Sequence, residues 1–325
     1  MNHPRRTILK SIAALGLYGS GHAGFAANYP TRPVTLVVPF TPGSATDVVA
    51  RVIAQQFEKQ FRQPCLVDNR AGAGGTLGAA AVAASEADGH TLLVHSTGHL
   101  ANAALYPKLK YDTMRDFVPI SLLATVPSVI VVTAASGLRS LAQLVERGKS
   151  KPNALTYASA GNGSGSHIGA EKFRIAAGFE SLHVPYKGAA PALNDLLGGR
   201  VDWLVAPAGT VLPFIREGRL VALAVETPRR TALLTNVPTT LESGYPDSDY
   251  DFWIGLFAPA RTPGPVVEQL HAGTAAWRQD PTVQARLRDA GAETVALGQH
   301  EFAAQVQREA AAVTAFIKRH GIQAE

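Results

Sequence analysis

The sequence predicts an α/β protein built as two lobes with mostly parallel sheets, and three observations lead there. From Val34 onward, short apolar runs alternate with helical patterns, the order expected of strand-helix-strand units. Glycine-rich turns join run to helix, as at 41–44, 72–78 and 161–165. The stretch 128–247 carries a full set of such units by itself, and the strand after it leads back to the first set. The expected division is therefore 27–127 with 248–325 in one lobe and 128–247 in the other.

Residues 1–26 read as an export signal. Arg5, Arg6 and Lys10 precede a weakly apolar run at 12–17, and small residues follow up to Ala26, where cleavage is expected and with it a periplasmic product. The order Arg5-Arg6-Thr7-Ile8-Leu9-Lys10 is similar to a twin-arginine signal, with ordinary secretion as the alternative. The run is far shorter than the roughly 20 apolar residues that span a bilayer. Cys65 is the only cysteine, so no intramolecular disulfide can form and stability must come from the core.

The elements follow in order. A strand is expected at 34–39, then the turn 40–44, then a helix whose Val48, Val49, Val52, Ile53 and Phe57 recur at three and four. Ser44 or Thr46 can cap it. Strands at 65–67 and 91–95 flank a glycine-rich loop and an alanine-rich helix. The second unit opens with a β-branched strand at 128–133, followed by a helix at 138–149 and a strand at 155–158. Next comes Gly161-Asn162-Gly163-Ser164-Gly165-Ser166-His167, opening a helix that Gly178 closes. Strands at 182–185, 201–206 and 220–226 complete that unit; 250–259 returns to the first, and amphipathic helices at 266–277 and 302–319 end the chain.

With 325 residues, 46% hydrophobic and 17% charged, the chain can bury one or two ordinary cores. Its net charge of +5 owes three basic residues to the export signal, which leaves 27 basic against 25 acidic, or +2, on the remainder. No basic run or basic-aromatic stripe accompanies it, and nucleic acid is not an expected partner.

Nine strings, taken in order, resemble the Bug-type solute receptors of tripartite tricarboxylate transporters. They begin with Tyr29-Pro30-Thr31-Arg32-Pro33-Val34, Val38-Pro39-Phe40-Thr41-Pro42-Gly43 and Asp68-Asn69-Arg70-Ala71-Gly72-Ala73-Gly74-Gly75. Asp88-Gly89-His90-Thr91-Leu92-Leu93 and Tyr111-Asp112-Thr113-Met114-Arg115-Asp116-Phe117 follow. The last four are Tyr157-Ala158-Ser159, His183-Val184-Pro185-Tyr186-Lys187-Gly188, Asp195-Leu196-Leu197-Gly198-Gly199 and Trp253-Ile254-Gly255-Leu256-Phe257-Ala258-Pro259. The resemblance implies a type II periplasmic-binding-protein fold, two lobes joined by two crossover strands and closing on a carboxylate. Main-chain N–H groups and ordered water hold the carboxylate in such receptors. The chain departs from the pattern at Ser44, where the family commonly has a second glycine, so ligand identity does not carry over.

The residues point the same way unaided. A loop that runs from a strand into a helix offers unpaired N–H groups and the positive end of the helix dipole, hence an anion site. Three such loops are at 41–47, 160–167 and 186–190, each with a glycine that lets backbone approach a ligand. The expected ligand set is Phe40, Thr41, Gly43, Ser44 and Asp47 from the first, with Ser96 just past the third strand. Ser159, Asn162, Gly163, Ser164 and His167 come from the second, and Tyr186, Lys187 and Gly188 from the third. Helix capping is the competing role for Gly43, Ser44 and Thr46. Asp47 either stabilises the helix start or holds a water or an amine, and Lys187 is either a carboxylate partner or a solvated surface cation.

Enzyme readings fare worse. Ser44, Ser159 and Ser164 all miss the G-x-S-x-G elbow, no G-x-x-x-x-G-K-[ST] string exists, and Gly72 to Leu77 misses G-x-G-x-x-G at its last place. Asp47, Ser164 and His167 could meet across the cleft as a hydrolase triad. His95 and His99 have metal-compatible spacing without a third ligand. The expectation is a monomeric receptor without cofactor, metal or catalysis, which captures a small carboxylate and delivers it to membrane permease subunits. A signalling protein is the alternative partner.

Overall fold

The computed structural model describes residues 29–151 and 154–324; the expected export signal lies outside the described residues. The first strands are β1 (Val34–Val38), β2 (Cys65–Asn69), β3 (Thr91–Ser96) and β4 (Phe117–Thr125). A second set comprises β5 (Ser128–Thr133), β6 (Thr156–Ser159), β7 (Leu182–Pro185), β8 (Trp203–Pro207) and β9 (Leu220–Val225). Strand β10 (Trp253–Pro259) then returns to the first sheet. The two sheets have orders β2-β1-β3-β10-β4 and β7-β6-β8-β5-β9. This is the two-lobed α/β architecture expected, with one refinement. In each sheet four strands share one direction and the fifth opposes them: β10 is antiparallel to β3 and β4, and β5 to β8 and β9. The antiparallel strand is in each case the one that has just arrived from the other sheet.

Helices α1 (Ala45–Phe61), α2 (Thr76–Ala83) and α3 (Gly98–Leu105) belong to the first unit. The second holds α4 (Leu141–Ser150), α5 (Gly165–Ala177), α6 (Ala189–Leu197) and α7 (Ala208–Arg216), and α8 (Gly264–Trp277), α9 (Pro281–Asp289) and α10 (Gln299–His320) end the chain. Strand β4, and helices α3 and α9, escape the periodicity reading. Pro119 interrupts β4, which tolerates it because β4 is an edge strand, and pairing with β10 shifts register beside it. Helix α3 starts on Gly98 with no side-chain cap, so it lacks the usual signal.

Buried apolar residues fill both faces of each sheet. Trp253 and Trp203 are fully buried and each finds an acceptor for its indole N–H, Glu309 Oε2 at 2.6 Å and Ser181 Oγ at 3.1 Å. Two short crossings join the sheets. The outgoing one runs through Val126 and Pro127, and Val126 N–H donates to Phe252 O of the return at 2.7 Å. Glu226 N–H donates to Ser128 O at 2.9 Å, and Tyr250 N–H to Glu226 O at 2.7 Å. The crossings are thus bonded directly to each other.

Three histidines with lowered pKa, His95, His99 and His167, are buried within this frame, and a fourth, His183, is half-buried. Burial lowers His99 to about 3, and His95 well below the usual value with help from its neighbour His99. Burial likewise lowers His167 to about 4 and His183 to about 3. Between the ordinary imidazole value and these, the unfolded chain binds protons that the folded chain refuses, so stability is full above about 6.5 and drains away as pH falls. Glu226, raised to about 8, works in the opposite sense, as do Asp251 and Glu309, whose carboxyls burial also pushes up, so their contribution is lost as pH rises. Neither ring nitrogen of His99 has a partner. His99→Phe is therefore expected to fold and to show a shallower loss of melting temperature between pH 7 and 4, worth on the order of 3 kcal/mol at the acid end. Thermal melts of both proteins across that range check it; equal slopes would refute it.

Candidate functional site

The site grows from strand ends. Strands β1 and β3 of one sheet and β6, β7 and β8 of the other deliver their carboxyl ends to a common cleft, the place where open α/β sheets bind ligands. Helices α1 and α5 start there from opposite sides. Ser44 caps α1 by accepting the Asp47 N–H at 3.2 Å, and Ser164 caps α5 by accepting the His167 N–H at 3.4 Å. Each cap consumes the third N–H of its helix. The first two, at Ala45 and Thr46 and at Gly165 and Ser166, have no place in the helical ladder and border the cavity. Ala189, first residue of α6, lines it too.

The cavity holds about 40 Å³ of free space, more than the roughly 10–15 Å³ one water needs but short of an ordinary ligand pocket. Phe40, Phe252 and the β8 end from Leu204 to Pro207 supply apolar wall. Ser44, Ser96, Ser164 and Ser166 supply hydroxyls, and no charged side chain lines it. Ser166 Oγ accepts the Ala160 N–H at 2.9 Å and sits 3.1 Å from Ser164 Oγ. Ser96 is 1% exposed and its hydroxyl has no protein partner. Such a surface, with convergent donors and no counter-ion, suits an anion that brings its own charge.

The other expected residues lie behind or beside this wall. Gly43 turns with φ of +80° and donates its N–H to Asp47 Oδ2 at 2.9 Å. Asp47 also accepts from Arg51 at 3.0 Å and Asn69 at 2.9 Å. Burial alone would raise the Asp47 carboxyl, but these hydrogen bonds hold it below the usual range. Ser159 Oγ lies 2.6 Å from His183 Nε2, and His167 Nδ1 accepts the Gly163 N–H at 3.1 Å. The rings of His167 and His183 stack at 4.1 Å. Tyr186 donates to Asp195 at 2.6 Å, which together with desolvation pushes its phenol up to about 12. Lys187 is exposed, beside a neighbouring cavity of about 160 Å³ lined by Gly72 to Gly75, Tyr106 and Asn162. Gly188 packs on Thr41, whose buried hydroxyl has no partner; a Cβ at Gly188 would lie 2.3 Å from it.

The two sides touch through backbone. Tyr106 OH donates to Asn162 O across the cleft at 2.9 Å, while Tyr250 OH donates to Thr97 Oγ1 at 2.8 Å within the first lobe. A Cβ at Gly74 would lie 1.9 Å from Asn162 O, and one at Gly98 would lie 2.6 Å from Gly163 O. The triad geometry does not form: Ser164 Oγ takes the His167 main-chain N–H, while the imidazole takes Gly163 and Asp47 is held by Arg51 and Asn69. His95 and His99 lie 4.9 Å apart in the core, and no set of three metal-ligating side chains gathers among the described residues. Phe252 and the β8 end went unforeseen; their only trace in the sequence is an apolar character shared with every core strand.

Comparison with known proteins agrees with this geometry. Residues 49–322 match the family model "Tripartite tricarboxylate transporter family receptor". The chain is 40% identical over 294 residues to a UPF0065 protein in the tcbD-tcbE intergenic region of Pseudomonas sp. (strain P51), covering 90% of this chain and 88% of that one. It is 38% identical over 267 residues to BugT of Bordetella pertussis, covering 80% and 82%. The periplasmic binding protein BugD superposes with a TM-score of 0.85 at 34% identity, over 91% of this chain and 100% of that one. MatC of Rhodopseudomonas palustris with bound malate gives 0.84 at 35%, over 88% and 99%, and R. palustris Rpa4515 with adipate gives 0.86 at 35%, over 90% and 99%. These family and structural neighbours are solute-binding receptors, not enzymes. The chain belongs to the tripartite tricarboxylate transporter receptor family and is a Bug-type solute-binding receptor.

Proposed function

We propose that the protein captures a small carboxylate in the periplasm and delivers it, as a monomer, to the membrane subunits of a tripartite tricarboxylate-type transporter. One observation carries the reading: the free N–H groups of α1 and α5, from opposite sheets, face one cavity lined by hydroxyls and no charged side chain. Malate in MatC and adipate in Rpa4515 support the chemical class. The lobes, 27–127 with 248–325 and 128–247, turn about the bonded crossings at 126–128 and 250–252. Opening them admits the ligand, since the space between them as they stand is too small for one to enter.

Two outcomes are expected. In calorimetric titration of the purified protein against malate, adipate, citrate, aspartate, nicotinate and benzoate, at least one binds below the millimolar range, about −4 kcal/mol. Binding of none would refute the carboxylate reading. Gly98→Ala tests closure. Alanine suits the first position of α3, so the melting temperature of the free protein should hold. Its Cβ meets Gly163 O only when the lobes are together, so affinity should drop roughly 10- to 100-fold, the usual cost of an overpacked contact. Unchanged affinity would show that the two backbones need not meet.

A further inference from the structure

One acidic side chain behind the cavity serves neither the core nor the wall. Glu226 follows β9, where the chain leaves the second sheet, and its backbone is bonded to Ser128 on the outgoing crossing and to Tyr250 on the return. Its side chain is fully buried, and neither carboxylate oxygen has a hydrogen-bond partner. Those oxygens lie against Gly169 of α5, where an added Cβ would sit 2.4 Å from Oε2. Gly169 is about one turn along the helix from Gly165, which borders the cavity.

The charged and titratable groups around it are few. Helix α5 offers Lys172, whose ammonium donates to the main-chain carbonyl of Asp249. The return segment brings the like charge of Asp249 and the phenol of Tyr250, which donates to Thr97. Strand β5 presents only main chain there, at Ser128. An ionised Glu226 would thus be buried without a hydrogen bond, and it would share α5 with any anion held at that helix's start.

We propose that the anion-loaded receptor carries a proton on Glu226, so that capture of the carboxylate takes up a proton; this rests on the carboxylate reading above. Burial, opposed by Lys172 and reinforced by Asp249, pushes the carboxyl up to about 8. Parting the lobes about the crossings to which Glu226 is bonded lets water reach it and returns it toward the ordinary glutamate range. Between that range and about 8 the loaded form holds a proton that the open form has lost, so affinity falls as pH rises, by up to about ten-fold per unit. Above the window neither form is protonated and the dependence flattens. The buried histidines, lowered to about 4 and below, stay neutral throughout.

Titration with the tightest acid of the panel, from about pH 6 to about 8, in buffers of different ionisation enthalpy, reads both affinity and protons taken up. Wild type is expected to lose affinity with rising pH and to take up as much as one proton, whereas Glu226→Gln, which mimics the protonated carboxyl, binds at least as tightly as wild type near pH 6 and loses both effects. Equal slopes in the two proteins overturn the inference and leave the carboxylate reading standing. Binding of no acid overturns both. Should Glu226→Gln fail to fold, the wild-type heats still decide, because zero net proton uptake overturns the inference.

Discussion

The receptor depends on amide hydrogens that its own helices cannot use. Every helix begins with N–H groups that find no carbonyl a turn earlier, and in α1 and α5 a serine takes only the third of these. What remains is a fixed pair of donors on each side, backed by a helix dipole and held by rigid strand ends. The sheets place these pairs on opposite sides of one cavity. No arginine or lysine lines the wall, so no side-chain entropy must be spent to assemble the site. The donors stand ready before anything arrives.

Much of this was legible in the sequence, and the reasons for the rest are physical. Alternation of apolar runs and helices, with an independent unit at 128–247, predicted the two sheets, and β5 and β7 fall where their runs suggested. Loop chemistry offered Ser44 or Thr46 as the cap of α1, and Ser44 takes that place, whereas Ser164 was read only as a ligand contact and its capping of α5 came from the structure. Strand direction was less visible: β10 and β5 run against their neighbours because each arrives from the other sheet, a long-range fact that no local pattern encodes. Phe252 faces the cavity only because the return segment crosses it, and Asp47 turns toward Arg51 and Asn69 because the latter comes from β2. Residues whose role depends on a partner far away in sequence leave no periodic trace.

The buried histidines show what a main-chain site requires of its support. His167 accepts the Gly163 N–H and stacks on His183, which meets Ser159, so the loop that carries the donors of α5 rests on neutral rings. Neutral rings hold the loop without adding a charge that would compete with, or bind, the anion in front of it. Asp47 does the corresponding work on the other side by gathering Gly43, Arg51 and Asn69. Each side is therefore stiffened from behind by groups that the cavity never meets.

The glycine contacts at Gly74 and Gly98 carry a consequence for recognition. They bring together peptide groups of opposite sides, Gly74 beside Asn162 and Gly98 beside Gly163. The seam is consequently made of the protein's own main chain, separate from the residues that line the cavity's apolar wall. Side chains such as Ser96 and Phe252 face the cavity and stand clear of that seam, so the lining and the closing contact are built from separate parts of the chain.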